Sequence, residues 1–243
     1  DASVQTFYTN FERLILNDAA GSTDASDDTV TIDLANLGFT NYVTTQGTLP
    51  GGTPGTNDDD LVLKNMASDG TIVLAATSAG ANTQQTVEVK DAATGEADVL
   101  NVVTKAATTT NLGTLTADDV ESININVVDT TTDSGVSTNT LALDADSATA
   151  IEIDGAGNLV LTLSAATTEV ATIDASAMTG KLTATTNAGD TGATTVTGGS
   201  GADTLTAQGA NDVLIGGAGN DTLIVTGAVA SAVTLTGGEG TDH

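Results

Sequence analysis

The sequence predicts an all-β protein, a right-handed parallel β-solenoid preceded by one short helix. Three observations lead to this fold class. From about residue 28, short runs of alternating β-branched residues are separated by Gly, Asp, Asn and Thr, which is the pattern of strands and turns. Past residue 121 such strands recur about every ten residues. After residue 189 the spacing tightens to a fixed period of nine, which favours one continuing stack of coils over a sandwich or a barrel.

The strands are assigned in order along the chain. Those of the first half are DTVTIDL (28–34), DLVLK (60–64), GTIVLAAT (70–77), TVEVK (86–90) and DVLNVV (98–103). Those of the second half are SININVV, TLALDA, AIEID, LVLTLSA, VATIDAS, KLTATT and ATTVT. Residues 47–59 hold both prolines and are predicted to be a surface loop.

The segment QTFYTNFERLIL, residues 5–16, has a helical rather than a strand pattern. Phe7, Phe11, Leu14 and Ile15 fall on one face of a helix. We expect this helix to cap the β architecture. The predicted organisation is therefore a cap over 1–27, a β-rich domain over 28–120, a β-solenoid over 121–188 and a β-roll over 189–243. Because the chain starts at Asp1 and stops at His243 in a glycine-rich turn, we expect it to be a piece of a longer protein.

Composition limits the function classes. Apolar residues make up 39% of the chain but aromatic residues only 2%, so the core must be thin layers of Val, Leu, Ile, Ala and Thr methyl groups. The 32 acidic residues against 5 basic ones give a formal net charge of -27, which makes nucleic acid and anionic membranes poor partners. No apolar run approaches the roughly 18 residues of a membrane span, so membrane insertion is not expected. Carboxylates placed beside glycines at turns favour divalent cations.

The absence of cysteine excludes disulfides, thiolate catalysis and Cys-based zinc sites. The single histidine, His243, excludes a Ser-His-Asp triad inside the chain. Paired carboxylates could hydrolyse glycosides, but almost no aromatic side chains are present to hold a sugar. We therefore expect no enzyme.

The nine-residue period is the strongest local signal. In register it reads GGSGADTLT from 198, AQGANDVLI from 207 and GGAGNDTLI from 216, after a weaker copy, GDTGATTVT, from 189. The glycines allow the chain to turn within six residues. An aspartate at the sixth position then lies where turn carbonyls converge, which suits a cation that prefers oxygen ligands. The apolar eighth position points into the stack.

This pattern resembles the RTX nonapeptide G-G-x-G-x-D-x-U-x, a parallel β-roll that binds Ca²⁺ in its turns. Two nonapeptides make one coil, so equivalent turns lie eighteen residues apart and Asp203 and Asp221 share one side. The resemblance implies that both aspartates are side-chain ligands. It also implies carbonyl ligands from Gly198, Ser200, Gly216 and Ala218.

Two further turns contain candidate calcium ligands, and the sequence predicts a different degree of calcium binding for each. The turn at 207–212, with Gly209 and Asp212, lacks both leading glycines and faces Thr194, so it holds a partial site or none. The turn GGEGTD at 237–242 follows the turn that begins at Gly216 by more than one full coil, so we expect a local bulge before it. Its Gly237 and Asp242 would then continue the stack, with Asp242 above Asp221.

Residues 95–130 and 170–189 are similar to the Thr- and Ala-rich β-strand repeats of bacterial surface-layer proteins exported by type I secretion. This resemblance implies an extracellular, structural protein whose partner is itself, in a Ca²⁺-dependent lattice. Cell-surface polysaccharide is a possible partner of regions outside this chain. An adhesin or biofilm-matrix protein, and the export and folding module of a secreted enzyme, are the alternatives. The acidic clusters at 24–28 and 57–60 are either solvated turns or further calcium loops.

Overall fold

The computed structural model describes residues 12–16, 29–37, 41–45, 60–75, 84–95, 97–106, 109–131, 136–190, 192–226 and 232–243. These residues form nineteen strands and two short 3-10 helices, at Leu34–Leu37 and Ala92–Thr94. The prediction of an all-β protein is confirmed. None of the helices in the described ranges is long or apolar enough to cross a membrane.

The strands divide between two sheets by alternation along the chain. The first sheet contains β1 (Leu14–Leu16), β3 (Tyr42–Thr45), β5 (Gly70–Leu74), β7 (Val99–Ala106), β9 (Ser122–Asp129), β11 (Ala150–Gly155), β13 (Thr172–Met178), β15 (Thr195–Thr197), β17 (Val213–Ala218) and β19 (Thr234–Glu239). The second sheet contains β2 (Thr29–Asp33), β4 (Asp60–Met66), β6 (Gln84–Val89), β8 (Thr110–Thr116), β10 (Thr138–Asp144), β12 (Asn158–Leu163), β14 (Leu182–Thr185), β16 (Thr204–Ala207) and β18 (Thr222–Val225).

Each strand pairs in parallel with the strand two places before or after it. One strand from each sheet therefore makes one coil, and the coils stack as a parallel β-solenoid, as predicted. The turns that lead from the first sheet to the second form one edge of the stack, called edge 1 below. The turns that lead back from the second sheet to the first form edge 2.

The coils shorten toward the C-terminal part of the chain. Tyr42 pairs with Thr71, whereas Thr195 pairs with Val213, so the later coil uses far fewer residues. Val213 then pairs with Thr234, which is a slightly longer step. The eighteen-residue register and the longer offset that follows it are both confirmed. The extra residues fall between β18 and β19, where 227–231 lie outside the described residues.

The core is a set of aliphatic rows that run along the stack between the sheets. Ile123, Ile151, Ile173, Val196 and Leu214 pair in succession in the first sheet, and each is buried. Stacking equivalent residues removes each side chain from water and contributes roughly 1.5–3 kcal/mol per fully buried residue. The buried hydrophobic residues of the described ranges include no aromatic side chain, as the composition predicted.

The predicted N-terminal helix is wrong where the structure describes it. Leu14–Leu16 form β1, which pairs in parallel with Val43–Thr45 of β3. The backbone groups of these residues are thus satisfied by a neighbouring strand, which the local apolar spacing could not reveal. The remainder of the predicted helix, up to residue 11, lies outside the described residues.

Other sequence predictions also fall outside those residues, namely the loop at 47–59 and the acidic cluster at 24–28. The same holds for 57–59 of the second cluster. The segment boundaries at 120 and 188 stay predictions, although β7 pairs with β9 and β13 with β15 across them.

Candidate metal centre

The glycines of edge 1 allow successive turns to stack in close contact. Gly217 and Gly219 have φ values of 102° and 126°, which side-chain-bearing residues rarely adopt. A Cβ on Gly217 would collide with the carbonyl oxygen of Gly199, and a Cβ on Gly219 with that of Gly201. The second and fourth positions of this repeat therefore require glycine, both because of their backbone conformation and because of the close approach of the coil below.

Aspartates connect the stacked turns of edge 1. The backbone N–H of Leu182 donates to Asp203 Oδ1 at 2.7 Å, and that of Asp203 donates to Asp221 Oδ1 at 2.8 Å. The N–H of Asp221 donates to Asp242 Oδ1 at 3.0 Å. We call Asp203, Asp221 and Asp242 the carboxylate ladder. Asp242 lies above Asp221, as the sequence predicted.

The second carboxylate oxygens of the ladder point back toward the leading glycines. A Cβ on Gly216 would contact both Asp221 Oδ2 and the carbonyl oxygen of Gly237. A Cβ on Gly198 would likewise contact Asp203 Oδ2 and the Gly216 carbonyl oxygen. Carboxylate and carbonyl oxygens of adjacent coils thus converge beside each of these glycines.

These converging oxygens are buried and only partly satisfied. Asp203 and Asp221 are 1% and 0% exposed. Asp203 Oδ2 accepts a hydrogen bond from Gly199 N–H at 2.8 Å, whereas Asp221 Oδ2 has no hydrogen-bond partner among the described residues. Burial raises the pKa of Asp203, and the charge of Asp221 raises it further. A bound cation would offset both effects, so the residues present fit a cation site.

The site would need main-chain ligands. Within the described parts of the chain, no group of three or more His, Cys, Asp or Glu side chains is placed to hold a metal ion. Carbonyl oxygens must therefore complete the coordination shell, as Ca²⁺ permits. The predicted carbonyl ligands from Gly198 and Gly216 lie in the stacked turns, and so do those from Ser200 and Ala218. All four stay predictions.

Asp212, on edge 2, is satisfied by protein donors. It is fully buried, and its Oδ1 accepts a hydrogen bond from Thr194 N–H at 3.1 Å. Its Oδ2 accepts from Thr186 Oγ1 at 2.6 Å and from Gly209 N–H at 2.9 Å. The residue below it is Thr194, as the register predicted. With both oxygens engaged, Asp212 resembles a structural carboxylate more than a calcium ligand.

The sequence did not single out Asp190, which the structure brings to Asp212. Thr194 Oγ1 donates to Asp190 Oδ2 at 2.8 Å, while Asp190 Oδ1 is buried without a hydrogen-bond partner in the described part of the chain. Burial raises the pKa of Asp190 to about 6, and the charges of Asp212 and Glu169 add to the shift. Asp190 is not at the sixth position of the period, so the repeat gave no signal for it.

Residues 188–223 match the family model of the RTX calcium-binding nonapeptide repeat, in four copies. These turns are RTX repeats. RTX nonapeptides bind Ca²⁺, and Ca²⁺ is accordingly the ion of this repeat segment. No curated protein matches the chain. The match ends before Gly237–Asp242, although these residues continue the RTX stack geometrically.

In the RTX turns, Asp203 and Asp221 would hold the ion as side-chain ligands, which stays a prediction from the sequence. Bound Ca²⁺ supplies the positive charge that the buried carboxylates lack. The chain supplies the rest by fixing each Oδ1 on a backbone N–H, which leaves Oδ2 directed toward the carbonyl oxygen of the next coil. The aspartates are therefore oriented before the ion binds.

Gly219→Ala should destabilise the RTX segment more than Gly192→Ala. The alanine at 219 must either adopt a strained backbone, at a cost of about 1–3 kcal/mol, or displace the coil below. A Cβ on Gly192 meets no atom within 4 Å. Thermal unfolding in excess Ca²⁺ measures the difference. Equal melting temperatures for the two variants would contradict the close stacking described above.

Proposed function

We propose that this protein is a structural, calcium-binding protein of the cell surface, whose copies assemble into a surface layer through Ca²⁺. It carries no catalytic activity of its own. RTX repeat proteins are typically secreted or extracellular, which supports the location. The observation that carries the proposal is the stack itself, in which two parallel sheets of ten and nine strands run through the described chain and RTX turns line the edge. Such a body is rigid without disulfides.

The outer face of the first sheet supports assembly through cations. Glu152 and Asp174 are paired on neighbouring strands and exposed, and Asp154 lies beside them. They line a shallow trough of about 610 Å³. Two such faces repel each other within a Debye length of about 8 Å at physiological salt, whereas Ca²⁺ shared between carboxylates would join them.

The calcium requirement also accounts for where the chain folds. Extracellular modules bind Ca²⁺ with dissociation constants of about 10⁻⁴ to 10⁻³ M. At cytosolic Ca²⁺ concentrations the net charge of -27 therefore opposes compaction, and the chain stays competent for export. Millimolar Ca²⁺ outside the cell then drives folding and assembly.

Assembly should be lost on chelation before the fold is lost, because ions at an interface are more exposed than ions in the turns. The intact parent protein is imaged by electron microscopy in millimolar Ca²⁺ and through an EGTA titration, with circular dichroism recorded at each step. Ordered two-dimensional arrays should disappear at an EGTA concentration that leaves the β signal unchanged. Monomers, rods or fibres throughout would contradict the lattice and support an adhesin spacer.

Removing two charges from the trough tests whether assembly depends on this face. Glu152→Gln with Asp174→Asn should abolish the arrays and leave Ca²⁺-dependent melting unchanged. The matched control is Glu88→Gln, on the second sheet, which removes one exposed charge that pairs with Lys64 at 3.2 Å. Arrays that survive the double substitution would exclude this face as the contact surface.

A further inference from the structure

Asp98, at the end of an edge 2 turn, is a buried carboxylate outside the segment that matches the RTX family. It is 8% exposed and directly precedes β7. Its Oδ2 is buried and accepts no hydrogen bond from any described residue. A buried polar atom without a partner costs free energy, so it calls for a ligand. Asp221 Oδ2, in the RTX turns, is in the same condition.

The chain around Asp98 repeats the sequence and position of an RTX half-coil. Residues 95–100 read GEADVL and residues 209–214 read GANDVL. Both segments lead into strands of the first sheet. In both, the carboxylate folds against the glycine three residues earlier, since a Cβ on Gly95 would contact Asp98 Oδ2 as one on Gly209 would contact Asp212.

The coil above Asp98 makes the same kind of contacts as the coil above Asp203 in the RTX turns. Asp98 N–H donates to Glu121 Oε2 at 2.7 Å, and Ser122 N–H donates to the Asp98 carbonyl at 3.1 Å. In the carboxylate ladder, Asp203 N–H donates to Asp221 and Thr222 N–H donates to the Asp203 carbonyl. Glu121 therefore holds the position above Asp98 that Asp221 holds above Asp203, so two acidic residues occupy successive coils.

Asp98 differs from Asp212 because one of its carboxylate oxygens has no hydrogen-bond donor in the described chain and is therefore available to a ligand. Gly209 N–H satisfies Asp212 Oδ2, whereas Gly95 N–H donates to the Ala92 carbonyl at 2.9 Å and leaves Asp98 Oδ2 free. The Ala92 carbonyl oxygen is 3.4 Å from the same Cβ position of Gly95. A carboxylate oxygen and a carbonyl oxygen thus face one point.

We propose that Asp98, together with Glu121 of the coil above, binds a Ca²⁺ ion on edge 2, separate from the RTX turns. Carboxylate and carbonyl oxygens in irregular geometry are ligands that Ca²⁺ accepts and Mg²⁺ disfavours. Lys90, a basic residue of the same coil, forms its ion pair with Asp91 at 3.3 Å and does not neutralise the site. Water completes the shell at this edge.

Hydrogen exchange of the full chain in Ca²⁺ and in EGTA tests the site. Ca²⁺ should slow the exchange of amides in 97–106, while those in 138–163, between this site and the RTX turns, should not respond. Asp98→Asn and Glu121→Gln should each remove the effect at 97–106 and lower the bound Ca²⁺ by about one ion per chain. Protection of 195–225 should persist in both variants, and Glu88→Gln should behave as wild type.

Equal exchange of 97–106 with and without Ca²⁺, at a concentration that protects 195–225, would overturn the site. Full Ca²⁺ stoichiometry in Asp98→Asn would do the same and would leave a water molecule as the partner of Asp98 Oδ2 in the wild-type protein. If Asp98→Asn does not fold, the hydrogen exchange of the wild-type protein and of Glu121→Gln still tests the site. Loss of protection at 195–225 alone would concern the RTX turns and not this site.

Discussion

Removing Ca²⁺ with EGTA will unfold the coils from residue 195 to 225 and leave those from 138 to 178 folded. Without the ion, Asp203 and Asp221 are buried charges whose donors are backbone N–H groups alone. Each bound ion contributes about 2.7 kcal/mol of stability at a concentration 100-fold above its dissociation constant. The coils from 138 to 178 pack buried aliphatic rows and contain neither the RTX turns nor the proposed Asp98 site. Hydrogen exchange should show lost protection in β16 and β18 and retained protection in β10 and β12.

Two controls belong to this experiment. Adding Ca²⁺ back should restore both protection and the β signal in circular dichroism. Mg²⁺ at the same concentration should not, because it demands a tight octahedron and releases water reluctantly. If the spectrum and the melting temperature stay the same after exhaustive chelation, the RTX turns do not depend on the ion for their fold.

Asp221→Asn and Asp212→Asn should differ in how their effects depend on Ca²⁺. Asp221 has a free buried Oδ2 beside a carbonyl oxygen, so the substitution should bring the melting temperature in Ca²⁺ close to the wild-type value in EGTA. Asp212 serves three protein donors, so its substitution leaves donors unpaired at a cost of about 1–3 kcal/mol in either condition. The sequence ranked Asp221 above Asp212 for calcium, and the structure adds a separate structural role for Asp212.

Calorimetry of both variants in Ca²⁺ and in EGTA, with Ca²⁺ stoichiometry by titration, separates the two roles. Asp203→Asn serves as a second variant on edge 1 and should follow Asp221→Asn. A loss of bound Ca²⁺ in Asp212→Asn as large as that in Asp221→Asn would show that edge 2 also binds the ion at this turn.

Most strand positions were predictable because a period-two alternation is a local signal, although β8 was not assigned. The runs quoted for β2, β4 and β7 all lie where the structure places strands. β1 and β3 have only three and four residues, too few for the alternation to be recognised, and each forms because a parallel neighbour pairs with it. Once the chain is taken to form coils, successive strands must alternate between the two sheets.

The candidate site was predictable as far as the register determines it. Counting along the repeat, with one coil longer than the others, was enough to place Asp242 above Asp221. The count could not place Asp190, because the turn between β14 and β15 sets its position through the Thr194 hydroxyl group. It could not show that Asp98 lacks a hydrogen-bond partner either, since that depends on which acceptor Gly95 N–H finds.

The carboxylate ladder gives the stack a direction. Each aspartate accepts a hydrogen bond from the coil that precedes it in the chain, so Asp242 serves Asp221, and Asp221 serves Asp203. A break between two coils is therefore asymmetric. At each ladder contact, the earlier coil is left with an N–H group that has lost its acceptor, whereas the later coil is left with a carboxylate oxygen that has lost its donor. Each RTX coil that is pulled free from the stack lengthens the chain by up to about 60 Å.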